Sequence, residues 1–467
     1  MTESNTRKPG MFAPWALLLA LSLTACGGDS NNPSETPGAG SPTLDPLAGL
    51  DSVGSDLARN LAPKIDAQQV REVVRNNFFF GWDWYLKARD SGATSNTNFV
   101  LSPYGIGATM DLIYPGLGQA VETGDPQTSK PTPASTQEFM DTLRFAPIKS
   151  YLDAGYNQLD LQLAEHSAVP IKGGDPSVVT SIHSLWLAKG TSILSDYLNG
   201  LAVDHGARIY LMPETTLGAG ADQARDAMNL WASGSSKDKV TQLVSSGEVD
   251  GSKMMLLDAT AFSGLWSLPF ESTRTIDADF TANGSAGVTT KKYLVDDRTV
   301  LYLRTPTYQA IELEYRGGFF VVDFILPDEG KLNEAEDELI AAQDVDLMRN
   351  AAARFVSIQL PRFSVQSDWL MAETLQQLGM NAIFDETKAD FSKLIADGAM
   401  APKNVKQRAS FAIDEKGSSA EGDTSGFTHA PGVPAINVRF DHPFFFVVKD
   451  KSTDTVVLMG RVLDPQQ

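Results

Sequence analysis

The chain has 467 residues, of which 42% are hydrophobic and 21% charged, a composition typical of a globular protein with a large core rather than a disordered chain. Its 58 acidic and 38 basic residues give a formal charge of −20. Basic residues never form a run longer than a pair such as Lys291-Lys292. This excludes nucleic acids and other polyanions as expected partners.

The N-terminus has the pattern of a secretion signal. A basic pair precedes an apolar run of 13 residues from 11 to 23, which is too short for a typical membrane-spanning helix. The residues Leu23-Thr24-Ala25-Cys26 then resemble the bacterial lipobox, whose cysteine is acylated after the signal is removed. The resemblance implies a signal peptide over 1–25 and a lipidated Cys26. The alternative is an ordinary secretory signal with a chance cysteine.

Two further features refine this expectation. Gly27 stands where an Asp would favour inner-membrane retention, so the resemblance implies an outer-membrane lipoprotein of the bacterial cell envelope, facing either the periplasm or the exterior. Because Cys26 is the only cysteine, internal disulfides, cysteine-rich zinc sites and a cysteine nucleophile within the domain are excluded. Residues 26–65, rich in Gly, Ser, Pro, Asp and Asn, predict a flexible tether ahead of one domain over 66–467.

The first half of that domain is expected to be rich in helices. A helix is predicted to start near Asp66, because Val70, Val73, Val74 and Phe78 recur at helical spacing on one face. The other predicted elements in this half are a short strand at 98–103, a helix at 106–113, a loop at 116–133, helices at 136–145 and 191–206, and a strand at 181–188.

The second half is expected to be rich in strands. Apolar and alternating runs predict strands at 254–262, 308–315, 319–326, 355–363, 409–413, 444–448 and 456–462. Helices followed by strands indicate an α+β fold.

Common catalytic motifs are absent from the sequence. It contains no G-x-S-x-G, Walker, G-x-G-x-x-G or H-E-x-x-H pattern, and its five histidines show no metal-ligand spacing. We therefore predict that the protein is not an enzyme and has neither a metal site nor a cofactor.

One stretch near the C-terminus combines strand character with small residues. After Glu415, the even-numbered positions Ser418, Ala420, Gly422 and Thr424 are small, whereas the odd-numbered Glu421 and Asp423 are charged. Since alternate side chains of a strand face opposite ways, this segment is able to enter a sheet with its small residues buried and its charges in water. A solvated acidic linker between two strands would use similar residues.

Several blocks, in order between about 67 and 465, resemble the serpin family. They are Asn98-Phe99-Val100-Leu101-Ser102-Pro103, Asp258-Ala259-Thr260-Ala261-Phe262-Ser263-Gly264-Leu265-Trp266 with Pro269-Phe270, Leu360-Pro361-Arg362-Phe363, Ala389-Asp390-Phe391-Ser392, His442-Pro443-Phe444 and Met459-Gly460-Arg461-Val462. The resemblance implies a fold of three β-sheets with a helical cluster and an exposed reactive-centre loop.

The resemblance also implies a function. The expected protein is a monomeric, irreversible suicide-substrate inhibitor of a serine, or alternatively a cysteine, endopeptidase, which it holds as a covalent acyl complex while its loop inserts into the main sheet. The implied loop hinge comprises Glu415, Lys416, Gly417, Ser418, Ala420, Gly422 and Thr424. The alternative is a non-inhibitory serpin that acts as a binding protein or as a protease substrate.

Counting from Glu415 as in the family implies cleavage between Pro431 and Gly432. Pro is an awkward acyl residue, so the bonds His429-Ala430 and Gly432-Val433 stay open within the bracket Thr428 to Val433. No Lys or Arg lies between 417 and 438, which disfavours a trypsin-like target. Small and apolar residues instead suit elastase-, subtilisin- or chymotrypsin-like pockets.

The family's polar cluster beneath the sheet centre is altered in this chain. The resemblance places Ser102, Asp258 and Gln407 in this sheet-opening region, with Gly105 where the family has a second serine and Trp266 at the top of the sheet. We hypothesise that burial raises the pKa of Asp258 and couples sheet opening to pH. The alternative is a hydrogen-bonded structural aspartate. Trp266 is expected to line the point where the loop inserts.

Overall fold

The structure is a computed structural model and describes residues 47, 49–121, 130–171, 174–282, 287–342, 344–418 and 435–466. Its α-helices are α1 (Ala67–Asp90), α2 (Pro103–Asp111), α3 (Ala134–Thr142), α4 (Leu152–Ser167), α5 (Ser195–Gly200), α6 (Ala219–Ser236), α7 (Leu332–Ala342) and α8 (Met371–Gln377). A π-helical turn, Leu201–His205, continues α5. Among the described residues, no helix is both long and apolar enough to cross a membrane.

The strands of the described chain belong to two hydrogen-bonded sheets. They are β1 (Ser52–Val53), β2 (Phe99–Leu101), β3 (Val178–Ala188), β4 (Ile209–Met212), β5 (Met254–Ser263), β6 (Ile276–Thr281), β7 (Val288–Arg304), β8 (Tyr308–Glu314), β9 (Phe320–Pro327), β10 (Ala352–Pro361), β11 (Phe363–Leu370), β12 (Asn404–Ile413), β13 (Ile436–Arg439), β14 (Phe444–Asp450) and β15 (Val456–Val462). The predicted α+β class is confirmed.

The predicted helix start near Asp66 has a clear local cause. The Asp66 carboxylate accepts hydrogen bonds from the amides of Gln68 and Gln69, and the Gln69 side chain accepts one from the Asp66 amide. This capping box satisfies amides that lack a partner in the first turn of α1.

The six-stranded sheet has the order β1-β4-β3-β5-β12-β11. Its two faces bury different clusters. The main core includes Leu256 and Phe262 of β5, whereas the other face of the same strand contributes Met255 and Leu257 to a second cluster with Trp231 of α6. Because side chains alternate along a strand, one central strand supports both cores.

The nine-stranded sheet has the order β13-β10-β7-β8-β9-β14-β15-β2, with β6 also paired to β7. The long strand β7 pairs along its length with β6, β10 and β8. Two of the three sheets that the family resemblance implies are therefore joined by β7 into one hydrogen-bonded sheet.

The folded domain begins earlier than the predicted boundary at residue 66. β1 pairs with the edge strand β4 through Ser52 and Val53, and Arg59 forms an ion pair with Asp160 at 2.7 Å. Residues within the predicted tether over 26–65 therefore lie against the domain. An edge strand presents unpaired amides and carbonyls, which a polar, glycine-rich segment is able to satisfy although its composition predicts a linker.

Candidate functional site

The centre of the six-stranded sheet is formed by β5 and β12, which pair in parallel. Their register pairs Asn404 with Met255 and Gln407 with Asp258. Parallel pairing is slightly less stable per residue than antiparallel pairing. A further strand antiparallel to both would replace this one parallel pairing by two antiparallel pairings.

Three of the residues predicted for the sheet-opening region meet beneath this junction. The side-chain amide of Gln407 donates to the Asp258 carboxylate at 2.7 Å and to the Ser102 carbonyl at 3.0 Å, and its oxygen accepts from the Ser102 amide at 3.0 Å. The Ser102 hydroxyl caps α2 by accepting from the Gly105 amide at 2.9 Å. The Gln407 side chain therefore ties β12 both to β5 and to the start of α2.

A fourth member of this polar cluster, His183 of β3, was not among the residues predicted from the sequence. Its Nδ1 lies 2.9 Å from the Asp258 carboxylate and 3.1 Å from the Thr109 hydroxyl, and its Nε2 lies 3.3 Å from the Ser181 hydroxyl. Alternation along the predicted strand places His183 on the same face as the buried Leu185 and Leu187, which was a usable signal. The hydrogen-bond partners of Asp258 thus come from both neighbouring strands.

The glycine at position 105 follows from the crowding around Asp258. A Cβ atom at Gly105 would stand 2.6 Å from both carboxylate oxygens of Asp258 and from the Thr260 hydroxyl. No side chain fits there without moving these groups, so the residue types at 105 and 258 are physically linked.

Asp258 is fully buried, and burial raises its pKa, while hydrogen bonds from His183, Gln407 and Thr260 oppose this rise without cancelling it. A folded-state pKa above the unfolded value contributes stability that is complete below about pH 4 and is lost as the pH rises through the raised pKa. We therefore expect Asp258→Asn to gain about 1–3 °C in unfolding midpoint over the wild type between pH 4 and pH 8.

Thermal unfolding followed by circular dichroism across this pH range measures that difference. Asp56→Asn, which changes an exposed aspartate, serves as the matched control and should follow the wild type. A constant difference between Asp258→Asn and the wild type at every pH would identify Asp258 as a purely structural residue. Equal inhibition rates of the two proteins from pH 5 to 8 would contradict the coupling of opening to pH.

The chain that leaves β12 folds back on the end of β5. The Asp414 amide donates to the Gly417 carbonyl at 2.8 Å, and Gly417 then forms an antiparallel bridge with Leu265. The Trp266 amide donates to the Lys416 carbonyl at 2.8 Å, and the Ser418 amide donates to the Gly264 carbonyl at 2.7 Å. The predicted hinge residues 415–418 thus already have strand-like pairing.

Only glycine fits at position 417. Its φ of +149° lies in the region that other residues avoid, and an added Cβ would stand 2.1 Å from the Gly264 carbonyl oxygen. The close approach of the two backbones explains why this hinge position is a glycine.

Glu415, the first hinge residue, is held by both its side chain and its backbone. The residue is 6% exposed; its carboxylate accepts from Nε of Arg362 at 3.0 Å and from the Thr275 hydroxyl, while its carbonyl accepts from the Phe270 amide at 2.8 Å. Burial alone would raise the pKa of Glu415, but the hydrogen bonds from Arg362 and Thr275 outweigh it and hold the pKa below its usual value.

Trp266 lies directly under this hinge. Its Nε1 donates to the Asp414 carbonyl at 2.9 Å, and its ring stacks on Tyr315 with the centroids 4.5 Å apart. The Tyr315 hydroxyl lies 2.7 Å from the Ser418 hydroxyl. The hinge therefore packs on the rings of Trp266 and Tyr315. Tyr315 is a second contact that was not predicted from the sequence.

Comparison with known proteins assigns this arrangement to a family. The family model described as "Serpin (serine protease inhibitor)" matches residues 75–465. The chain belongs to the serpin family. Its family resemblance and its fold are thereby both confirmed.

Related proteins cover most of this serpin. Leukocyte elastase inhibitor A of Mus musculus is 25% identical over 399 residues, which span 83% of this chain and 98% of the relative. An uncharacterized serpin-like protein of Thermococcus kodakarensis is 24% identical over 460 residues, which span 96% of this chain and 97% of the relative.

Solved structures show the same fold. The thermophilic serpin tengpin in its native state superposes with a TM-score of 0.72 at 21% identity, covering 89% of this chain and 100% of tengpin. Thyroxine-binding globulin in complex with thyroxine gives a TM-score of 0.69 at 18% identity, covering 85% of this chain and 99% of the globulin. At these identities the likeness concerns the fold alone.

Other predicted site residues of this serpin lie outside the described residues. They are Cys26, the loop positions Ala420, Gly422 and Thr424, and the reactive-site bracket Thr428, His429, Ala430, Pro431, Gly432 and Val433. Their roles remain predictions.

Proposed function

We propose that this serpin is an irreversible suicide-substrate inhibitor of a serine endopeptidase with elastase-, subtilisin- or chymotrypsin-like specificity. The observation that carries the proposal is the antiparallel bridge between Gly417 and Leu265, beside the parallel junction of β5 and β12. It supports a loop that continues as a new strand between these two strands. Serpin loop insertion is a known example of strand addition to a sheet and of the release of stored strain.

Extending this register indicates where the loop would pair. On the β5 side, Ala420, Gly422 and Thr424 would come opposite Phe262, Thr260 and Asp258. On the β12 side, the turn that closes between Asp414 and Gly417 would bring the same three residues opposite Phe411, Ala409 and Gln407. The two sides agree, because Gln407 and Asp258 are already partners, as are Ala409 and Thr260. Opposite residues share a face, so the small residues would enter the main core.

Thr424 would then lie where Gln407 now donates to Asp258. Insertion to this depth therefore requires that this hydrogen bond break. We infer that the polar cluster beneath the junction holds the sheet closed until the loop is cut.

The two acidic residues of the loop would reach the opposite face. If the loop inserted in this register, Asp423 would lie beside Ala259, which is fully buried in the second core cluster, and not in the open water expected for both charges. Its other neighbour would be Arg408, whose guanidinium now contacts Asp368 at 2.8 Å. A cation beside Asp423 would offset the cost of placing its carboxylate there.

The proposed reaction begins with attack by the protease's serine oxygen on the carbonyl carbon of the loop's acyl residue. An ester forms, the peptide bond breaks, and the new amine leaves with the loop's C-terminal part. Insertion then replaces one parallel pairing by two antiparallel ones. With about 1 kcal/mol net for each new hydrogen bond, a strand of roughly ten residues would gain on the order of 10 kcal/mol. This energy would distort the attached protease before the ester is hydrolysed.

A single gel experiment tests the proposal. Incubation with elastase, subtilisin or chymotrypsin is expected to give a covalent complex that survives denaturant and reductant, and mass spectrometry of the released peptide would locate the cut within residues 428–433. Cleavage without any complex, and with no rise in thermal stability, would instead indicate a non-inhibitory serpin that serves as a binding protein or substrate.

We further propose that the mature protein is anchored to the bacterial outer membrane through an acylated Cys26. The support is the lipobox-like sequence Leu23-Thr24-Ala25-Cys26. Cys26→Ala is expected to move the protein from the membrane fraction to the soluble fraction without changing its inhibition of the target. Fractionation followed by immunoblotting measures this, and an unchanged membrane association would contradict lipid anchoring. Gly28→Ala serves as the control.

A further inference from the structure

Three side chains of metal-binding type meet away from the insertion region. Asp111 ends α2, Asp153 lies in the first turn of α4, and His205 ends the π-helical turn after α5. One ligand atom from each lies within 4.8 Å of the other two, and Nδ1 of His205 is 3.8 Å from a carboxylate oxygen of Asp111. Three separate elements thus direct ligand atoms to one point.

These groups are buried without the partners that buried charges require. The Asp111 side chain is fully buried and that of His205 is 8% exposed. Among the described residues, no N–H or O–H group donates to either Asp111 oxygen or to Oδ1 of Asp153, and Nε2 of His205 has no hydrogen-bond partner. The one ion pair of these carboxylates among the described residues is that of Asp111 with His205. A buried carboxylate without a hydrogen-bond donor or a cation costs several kcal/mol. The cluster therefore lacks a positive charge that would neutralise its two carboxylates.

We propose that Asp111, Asp153 and His205 bind a divalent first-row transition-metal cation of the Zn²⁺ class. One imidazole nitrogen with two carboxylate oxygens suits such ions, whereas Ca²⁺ and Mg²⁺ prefer ligand sets made of oxygen alone. Tetrahedral ligands at zinc distances stand about 3.4 Å apart, so small side-chain rotations would bring the three groups into place. Three protein ligands leave a fourth position for water.

A cation at this point would join α2, α4 and the π-helical turn. α2 begins at the polar cluster beneath the β5–β12 junction and ends at Asp111, so the proposed ion fixes the far end of the helix that Ser102 caps. The proposal does not depend on protease inhibition. The sequence predicts no metal site, because the three ligands are too far apart in the chain to form a recognisable spacing.

The test uses the full chain with Cys26→Ser, a change that removes a thiol able to bind the same ions. After treatment with a chelator, Zn²⁺ is added in a calorimetric titration and in thermal unfolding. We expect one Zn²⁺ per chain and a rise in unfolding midpoint of about 3 °C when free Zn²⁺ is at 100 times its dissociation constant. Co²⁺ in place of Zn²⁺ should give a visible absorption band.

Asp111→Asn, Asp153→Asn and His205→Gln are each expected to abolish the zinc-dependent rise. His442→Gln is the matched control, since His442 also lies beside an aspartate, at 2.8 Å, and should retain it. If Asp111→Asn fails to fold, the zinc-dependent rise is measured in the variants at the half-buried Asp153 and at His205 alone, and their result tests the proposal. The proposal is overturned by no zinc binding, by an equal rise in the variants, or by an equal rise with Ca²⁺ or Mg²⁺. In any of these cases, a proton shared between Asp111 and Asp153, and not a metal ion, would reduce the negative charge of the cluster.

Discussion

Ser418→Arg is expected to convert this serpin from an inhibitor into a substrate. Ser418 already contacts the Tyr315 hydroxyl and the Gly264 carbonyl, and in the proposed inserted strand its side chain would face the main core. An unpaired guanidinium buried there costs several kcal/mol, and each 1.4 kcal/mol is about a tenfold change in rate or equilibrium. The fraction of protease trapped as covalent complex should fall at least tenfold, as measured by densitometry of denaturing gels.

Ser418→Ala is the matched control for this experiment. It removes the hydroxyl contact to Tyr315 but adds neither charge nor bulk, so complex formation should stay close to that of the wild type. If Ser418→Arg forms as much complex as Ser418→Ala, the loop does not insert in the proposed register.

Glu415→Gln is expected to lower the free energy of unfolding of the uncleaved protein by about 2 kcal/mol. The substitution removes the charge that accepts from Arg362 and Thr275, and charge-assisted hydrogen bonds are worth about 1.5–3 kcal/mol. Arg362 and Glu415 form one hydrogen-bonded pair, so their substitutions remove the same interaction. The double variant with Arg362→Gln should therefore lose less free energy of unfolding than the sum of the losses in the two single variants. Urea unfolding measures all three variants.

The control for Glu415→Gln is Glu386→Gln. Glu386 forms a pair with Lys253 at 3.4 Å in which both side chains are more than half exposed, and such pairs contribute under about 1 kcal/mol. A loss equal to that at Glu386 would show that the Glu415 pair does not stabilise the hinge.

The pH dependence of Glu415→Gln follows from the lowered pKa. A carboxylate whose pKa falls on folding contributes stability that is present above its unfolded pKa of about 4.3 and is lost as the pH falls through the folded-state value. The difference between wild type and variant should therefore be complete at pH 7 and shrink below about pH 4.

Family membership and fold class were predictable because they depend on local blocks. The Asn98–Pro103 and Leu360–Phe363 blocks carry their signal in consecutive residues, and the helix start at Asp66 depends on residues within one turn. The start of the domain was not predictable, because residues 52–53 form a strand only through the edge of β4.

The sequence by itself determined that alternate residues after Glu415 are small, which is the property that the proposed insertion of the loop requires. Only the tertiary structure decided what surrounds such a strand. Alternation along β3 indicates only that His183 faces inward. That His183 lies beside Asp258, Tyr315 beside Ser418 and Arg408 at the junction of β5 with β12 depends on the packing of separate elements. The same holds for Asp111, Asp153 and His205, because burial and the absence of partners are properties of the packed chain.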